Sequence, residues 1–277
     1  MQQIVASGIG ARGASSLCRP EFWDEALQLF IRAGRILVIT GFYIQRAEAS
    51  ETDGPPGAVA LGRALARVGK EVILLTDSRN YKSLSACSHS VSGPSVAKAD
   101  DPLDVQMDMD LLVFIERPGH ATDDRYYDMK GTDIGDVVVP LDKIAKSALR
   151  RGIPVLGIGD GGNEAGMGIF YDALVKLLPR YAPCLSRVPA TVCLPVDISN
   201  WGAYALTAVL SGFYRCWLGM DEGEESIMLE ALSRAGAVDG VTGLPSASVD
   251  GVPLEGPGGL EETEFRLRSW YSGSFEV

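Results

Sequence analysis

Carboxylates stand beside glycines at two places in the chain. Glu51 and Asp53 lie in residues 51–57 (ETDGPPG), and Asp160 and Glu164 flank Gly161, Gly162 and Asn163 in residues 159–168 (GDGGNEAGMG). Glycine lets backbone approach a ligand closely, and two carboxylates in different surroundings can divide acid and base roles. Should the two loops meet, Glu51, Asp53, Asp160 and Glu164 also supply the hard oxygen donors that Mg²⁺ or Mn²⁺ prefers, so a divalent cation is the cofactor to test for. A third acidic point is Glu116, followed at once by Arg117. These two could neutralise each other, or Arg117 could grip a substrate carboxylate with both prongs while Glu116 serves as an acid. Neither His89 nor His120 has a serine or cysteine in an elbow context nearby, so a nucleophilic triad is not indicated.

Residues 157–162 also match GxGxxG. A dinucleotide site is weakly supported, because Asp160 and Glu164 would repel a pyrophosphate and no lysine follows to form a P-loop. The bland alternative has Asp160 or Asn163 capping the next helix and Glu164 complementing its dipole.

Short β-branched runs alternating with segments of helical period must position these residues, which predicts an α/β chain: a Rossmann-like three-layer fold with a mostly parallel sheet. Strands are expected at 36–40, 71–76, 110–115, 136–139, 154–158 and 192–196. Helices are expected at 21–33, 57–68, 141–150, 164–178 and 202–218, with residues 83–108 as loop holding one short helix. Ligands of such sheets bind outside the carboxyl ends of the strands, where Thr40, Asp77, Glu116, Arg117, Asp160 and Asn200 fall. The 277 residues read as one domain, with a core over about 20–220 and a carboxyl-terminal appendage over about 221–277.

A net charge of −11 disfavours nucleic acid and anionic membrane surfaces, leaving a small molecule as the expected ligand. No apolar run approaches the ~20 residues needed to span a bilayer. Five scattered cysteines without a CxxC pair read as reduced thiols. A cytoplasmic setting and a homodimer formed through apolar helix faces are expectations from these features.

Thr40–Gly41–Phe42, ETDGPPG, Glu116–Arg117 with Gly119, Tyr126–Tyr127, GDGGNEAGMG and residues 199–202 (SNWG) with Tyr204 occur in the order found in the D-glutamate cyclase family, with a looser match at 236–242 (GAVDGVT). The chain resembles the carboxyl-terminal domain of that family. Asp128 and Lys130 depart from the family pattern, which has Asn and Arg there. The resemblance implies a hydro-lyase that closes D-glutamate to 5-oxo-D-proline. That reaction needs a base at the ammonium, an acid at the departing oxygen and an oxyanion stabiliser. Asp160 is assigned as base and Glu164 or Glu116 as acid. Arg117 is assigned to the α-carboxylate, the Gly161 and Gly162 amides to the oxyanion, and Thr40, Asp53, Asn163 and Asn200 to substrate contacts. Two other readings stay open: a nucleotide-dependent enzyme using the GxGxxG turn, and a binding protein for a small amino acid that closes no bond.

Overall fold

Apolar, β-branched runs buried on both faces form a parallel sheet in the computed structural model, which describes residues 1–7, 13–256 and 259–273. The strands are β1 (Arg35–Thr40), β2 (Glu71–Thr76), β3 (Val96–Lys98), β4 (Leu111–Ile115), β5 (Val155–Gly159) and β6 (Val192–Pro195). Their spatial order is 3-2-1-4-5-6 with every pairing parallel. This is the doubly wound order in which strand direction of travel reverses between β1 and β4, and ligands collect outside the carboxyl ends at that reversal. The α/β reading therefore holds, as does the three-layer arrangement, with helices on both faces of the sheet.

One face carries α1 (Pro20–Arg32), α2 (Pro55–Arg67) and α6 (Ser199–Tyr214), which share the largest apolar core with Val38, Val113 and Ile158. The opposite face buries Ile39, Phe114 and Val155 against α4 (Ile144–Arg150). α3 (Ser78–Ser90) contributes Leu84 and Cys87 to the larger core, and the short α5 (Tyr171–Leu177) packs its Leu174 beside Met167 and Leu185. The carboxyl-terminal helices α7 (Glu224–Ala235) and α8 (Leu260–Gly273) add Leu229, Leu232, Leu260 and Leu267 to the larger core. All five cysteines are free thiols, four of them buried. Among the described residues no helix is long and apolar enough to cross a membrane.

Four elements differ from the sequence expectation. Residues 136–139 are not a strand; Gly135–Val137 forms a 3₁₀ turn, and the place beside β4 is taken by β5. The segment 83–108, expected as loop with one short helix, holds most of α3, a 13-residue helix that starts earlier and is capped by the Asp77 carboxylate on the Arg79 and Asn80 amides, and then the unexpected edge strand β3. The helix expected to open at Glu164 begins only at Tyr171, after a 3₁₀ turn at Met167–Phe170. The helix expected at 202–218 runs from Ser199 to Tyr214. Its first turn is capped from a distant loop: Asp53 accepts hydrogen bonds from the Ser199 and Asn200 amides at 2.9 and 2.8 Å.

Candidate active site

Loops leaving β1, β4 and β5 meet at the reversal point. After β1 the chain makes a small hairpin of Tyr43–Ile44 with Ala49–Ser50 and then enters the acidic loop before α2. Reciprocal bonds lock this loop to the start of α6. Asn200 Oδ1 accepts from the Gly54 and Gly57 amides at 2.9 and 2.8 Å, while its Nδ2 donates to Thr52 O. Gly54 adopts φ +99°, and a Cβ there would lie 2.6 Å from Thr40 Oγ1 and 2.8 Å from Glu116 Cβ. Only glycine fits both that conformation and that contact.

Three carboxylates converge behind this lock. Oxygens of Asp53, Glu116 and Asp160 lie within 4.8 Å of one another, and all three residues are buried. Glu116 follows β4 with φ +46°, a costly conformation for a non-glycine residue of the sort that surrounding structure must enforce. Its Oε2 accepts the Ser199 hydroxyl at 2.6 Å. Neither Glu116 nor Asp53 makes an ion pair with any described residue. Burial, then the charges of Glu164, Asp53, Glu51 and Asp250, push the Glu116 carboxyl well above the usual range. Burial and then Asp250 push Asp53 up to about 7, against the pull of its backbone hydrogen bonds.

A cavity of about 260 Å³ opens over Glu116. Glu51, Glu116 and Asn163 line it together with Arg46, Lys130 and Tyr181, and Gly240 and Val241 close one side. Arg46 Nη2 donates to the carbonyls of Gly240 and Val241, both at 2.9 Å. Glu51 packs so tightly on Gly240 that a Cβ there would fall 1.6 Å from its Oε1. Asn163 is buried; its Nδ2 donates to Tyr127 O, and its Oδ1 has no partner. The cavity thus joins an acidic floor to a rim carrying two cations, Arg46 and Lys130, and one further acid, Asp128.

The placement revises several sequence assignments. Arg117 does not pair with Glu116. Its Nη1 bonds Asp77 at 2.5 Å and Gly41 O at 3.0 Å, and its Nη2 bonds Val139 O at 2.6 Å, all in the interior. The Gly161 and Gly162 amides donate to the two Glu164 oxygens at 2.8 and 2.7 Å, so both are already engaged, and they do not stand at a helix start. Glu164 is turned back on its own loop and does not line the cavity. Thr40, Asp53 and Asn200 are buried beneath the cavity wall, leaving Asn163 as the one assigned substrate contact that reaches it. In the acid cluster Glu116 stands where Glu51 and Glu164 had been expected beside Asp53 and Asp160. Arg46 and Tyr181 were missed, since no local pattern marks them; the GAVDGVT match was the one hint of Gly240 and Val241. His120 bonds Asp142 at 2.6 Å outside the cavity.

Residues 1–260 match the family described as D-glutamate cyclase-like, C-terminal. The chain belongs to that family. It is 30% identical over 301 aligned positions to the human protein named D-glutamate cyclase, mitochondrial, covering 92% of this chain and 49% of that one. It therefore spans about half the length of this curated relative. A solved structure of an exopolyphosphatase-related protein from Bacteroides fragilis overlaps 80% of this chain and 58% of its own at 11% identity and a TM-score of 0.33.

Proposed function

We propose that this chain closes D-glutamate to 5-oxo-D-proline with loss of water. Family membership and the name of the human relative support the reaction and the D configuration. The geometric observation that carries the reading is Glu116: a buried carboxyl with no ion pair, at the floor of a cavity whose rim holds Arg46 and Lys130. An amino dicarboxylate fits that polarity, its ammonium against Glu116 and Glu51 and its carboxylates toward the two cations.

Closure moves two protons from the ammonium to a γ-oxygen, which leaves as water while nitrogen bonds the γ-carbon. A carboxyl titrating above the ordinary range can give up its proton as the acid and, once ionised, take one back as the base. Glu116 faces the cavity and exchanges protons with the substrate. Asp160, first assigned as the base, lies in the same cluster and shares protons with Glu116, as does Asp53.

Asp53, Glu116 and Asp160 also suit Mg²⁺ or Mn²⁺, as three hard oxygen donors within one ion's reach. The buried Thr40 Oγ1, which has no partner, adjoins Glu116 around Gly54. A cation held there would offset the cluster's charge and polarise the γ-carboxyl.

Proton NMR of the protein with D- or L-glutamate, with Mn²⁺ or after chelation, tests the reading. Formation of 5-oxoproline from the D isomer alone is expected. Its absence in every arm, from folded protein, would leave a binding role for the cavity.

A further inference from the structure

A second cavity, of about 200 Å³, adjoins the first. Its lining is Met129, Lys130, Gly131, Arg180, Tyr181 and Cys184, of which Met129, Lys130 and Tyr181 belong to both cavities. In a chain of net charge −11 this annex is cationic. Lys130 Nζ and the Arg180 guanidinium make no ion pair with any described residue, and Arg180 lies over the Tyr181 ring, 5.9 Å from its centroid. Asp128 is the acid whose charge reaches Cys184, and its Oδ1 is turned into its own loop by the Lys130 and Thr132 amides.

Free glutamate has no group to place there. In the cyclising role given above its amine and γ-carbon come together over Glu116, and Lys130, which lines both cavities, joins that place to the annex. We propose that the annex receives the carboxylate of an amino acid joined by an amide bond to the γ-carbonyl of D-glutamate. The chain then also closes γ-D-glutamyl amino acids whose α-amine is free. This inference rests on the cyclising role given above to the acidic floor.

The step balances without water or any oxidant. The α-nitrogen bonds the γ-carbon, the amide C–N bond breaks, and two protons pass from the α-ammonium through Glu116 to the departing nitrogen. The products are 5-oxo-D-proline and a free amino acid, whose carboxylate Arg180 and Lys130 hold in a charge-assisted contact.

The test uses the full chain with D-glutamate, γ-D-glutamylglycine and γ-D-glutamyl methylamide, followed by proton NMR. Glycine and 5-oxo-D-proline should appear in equal amounts, with a KM for the dipeptide roughly tenfold below that for the methylamide, which lacks the carboxylate. Arg180→Gln should erase that tenfold difference and leave the D-glutamate KM unchanged, because Arg180 does not line the first cavity. Closure of D-glutamate without closure of the dipeptide would overturn the annex alone. So would equal KM values for dipeptide and methylamide in the wild type. Failure of all three substrates would overturn the cyclising reading, and the annex with it.

Discussion

Asp77 and Glu116 are both buried carboxylates just past the carboxyl ends of neighbouring parts of one sheet, and they differ in what faces them. Asp77 follows β2, pairs with Arg117 at 2.5 Å and caps α3. Glu116 follows β4, accepts a hydrogen bond from the Ser199 hydroxyl, and is ringed by other acids. Arg117, the very next residue, turns its charge away from Glu116 and toward Asp77. A buried charge with its partner present is part of the scaffold, whereas an acid buried beside like charges is held ready to exchange a proton or to meet a cation.

Glu225 sharpens the contrast. It too is fully buried without an ion pair to any described residue, its Oε1 accepting the Tyr204 hydroxyl, and burial followed by the charge of Glu264 pushes it up to about 8. It lines neither the main cavity nor the annex. A carboxyl pushed above its usual range therefore marks a site only when a cavity reaches it.

The largest effect should come from breaking the paired acid. Asp77→Asn keeps a capping oxygen for α3 and leaves Arg117 as an uncompensated buried charge, so urea unfolding should show a loss of about 3 kcal/mol or more. A loss under about 1 kcal/mol would deny the pair its structural role. Asn200→Ala removes the lock between the acidic loop and α6, leaving the Gly57 amide without its acceptor and the Gly54 amide with Asp53 Oδ1 alone. Stability should fall by about 1–3 kcal/mol, and full stability would show that the lock carries nothing. Arg46→Ala should raise KM for D-glutamate by roughly tenfold with kcat little changed, as for a contact made equally in ground and transition states. An unchanged KM would remove Arg46 from the substrate's path.

The smallest effect concerns pH. Glu225 binds its proton more tightly folded than unfolded, so its contribution to stability is complete below its ordinary value of 4.5 and is lost as pH rises toward about 8. Glu225→Gln should flatten the melting temperature across that window and leave turnover intact. Reduced turnover would place Glu225 in the site after all.

Much of the sheet was legible because five strands are runs of buried apolar residues, and that burial imposes composition. β3 was not, being three residues long, exposed in part and set among Ser, Asp and Pro. The acidic loops were legible as chemistry but not as geometry. Nothing local distinguishes Glu164, whose carboxylate folds back on Gly161 and Gly162, from Glu116, which reaches the cavity. Arg46 and Lys130 acquire meaning only when the hairpin, the tyrosine segment and the Gly240 loop are brought together. That last loop belongs to the segment first taken as an appendage. Asp239 builds it, accepting from the Val241, Thr242 and Gly251 amides and the Ser248 hydroxyl.

The central claim is that Glu116 is held without a neutralising partner in order to react. Its direct test is Glu116→Gln, assayed at one pH for 5-oxo-D-proline formation from D-glutamate and for thermal melting. Turnover should fall by about 10²–10⁴-fold while the melting temperature holds or rises, since Gln keeps the side chain's shape and cannot ionise among the neighbouring acids. A variant that keeps its activity, or that loses activity only because it unfolds, would contradict the claim.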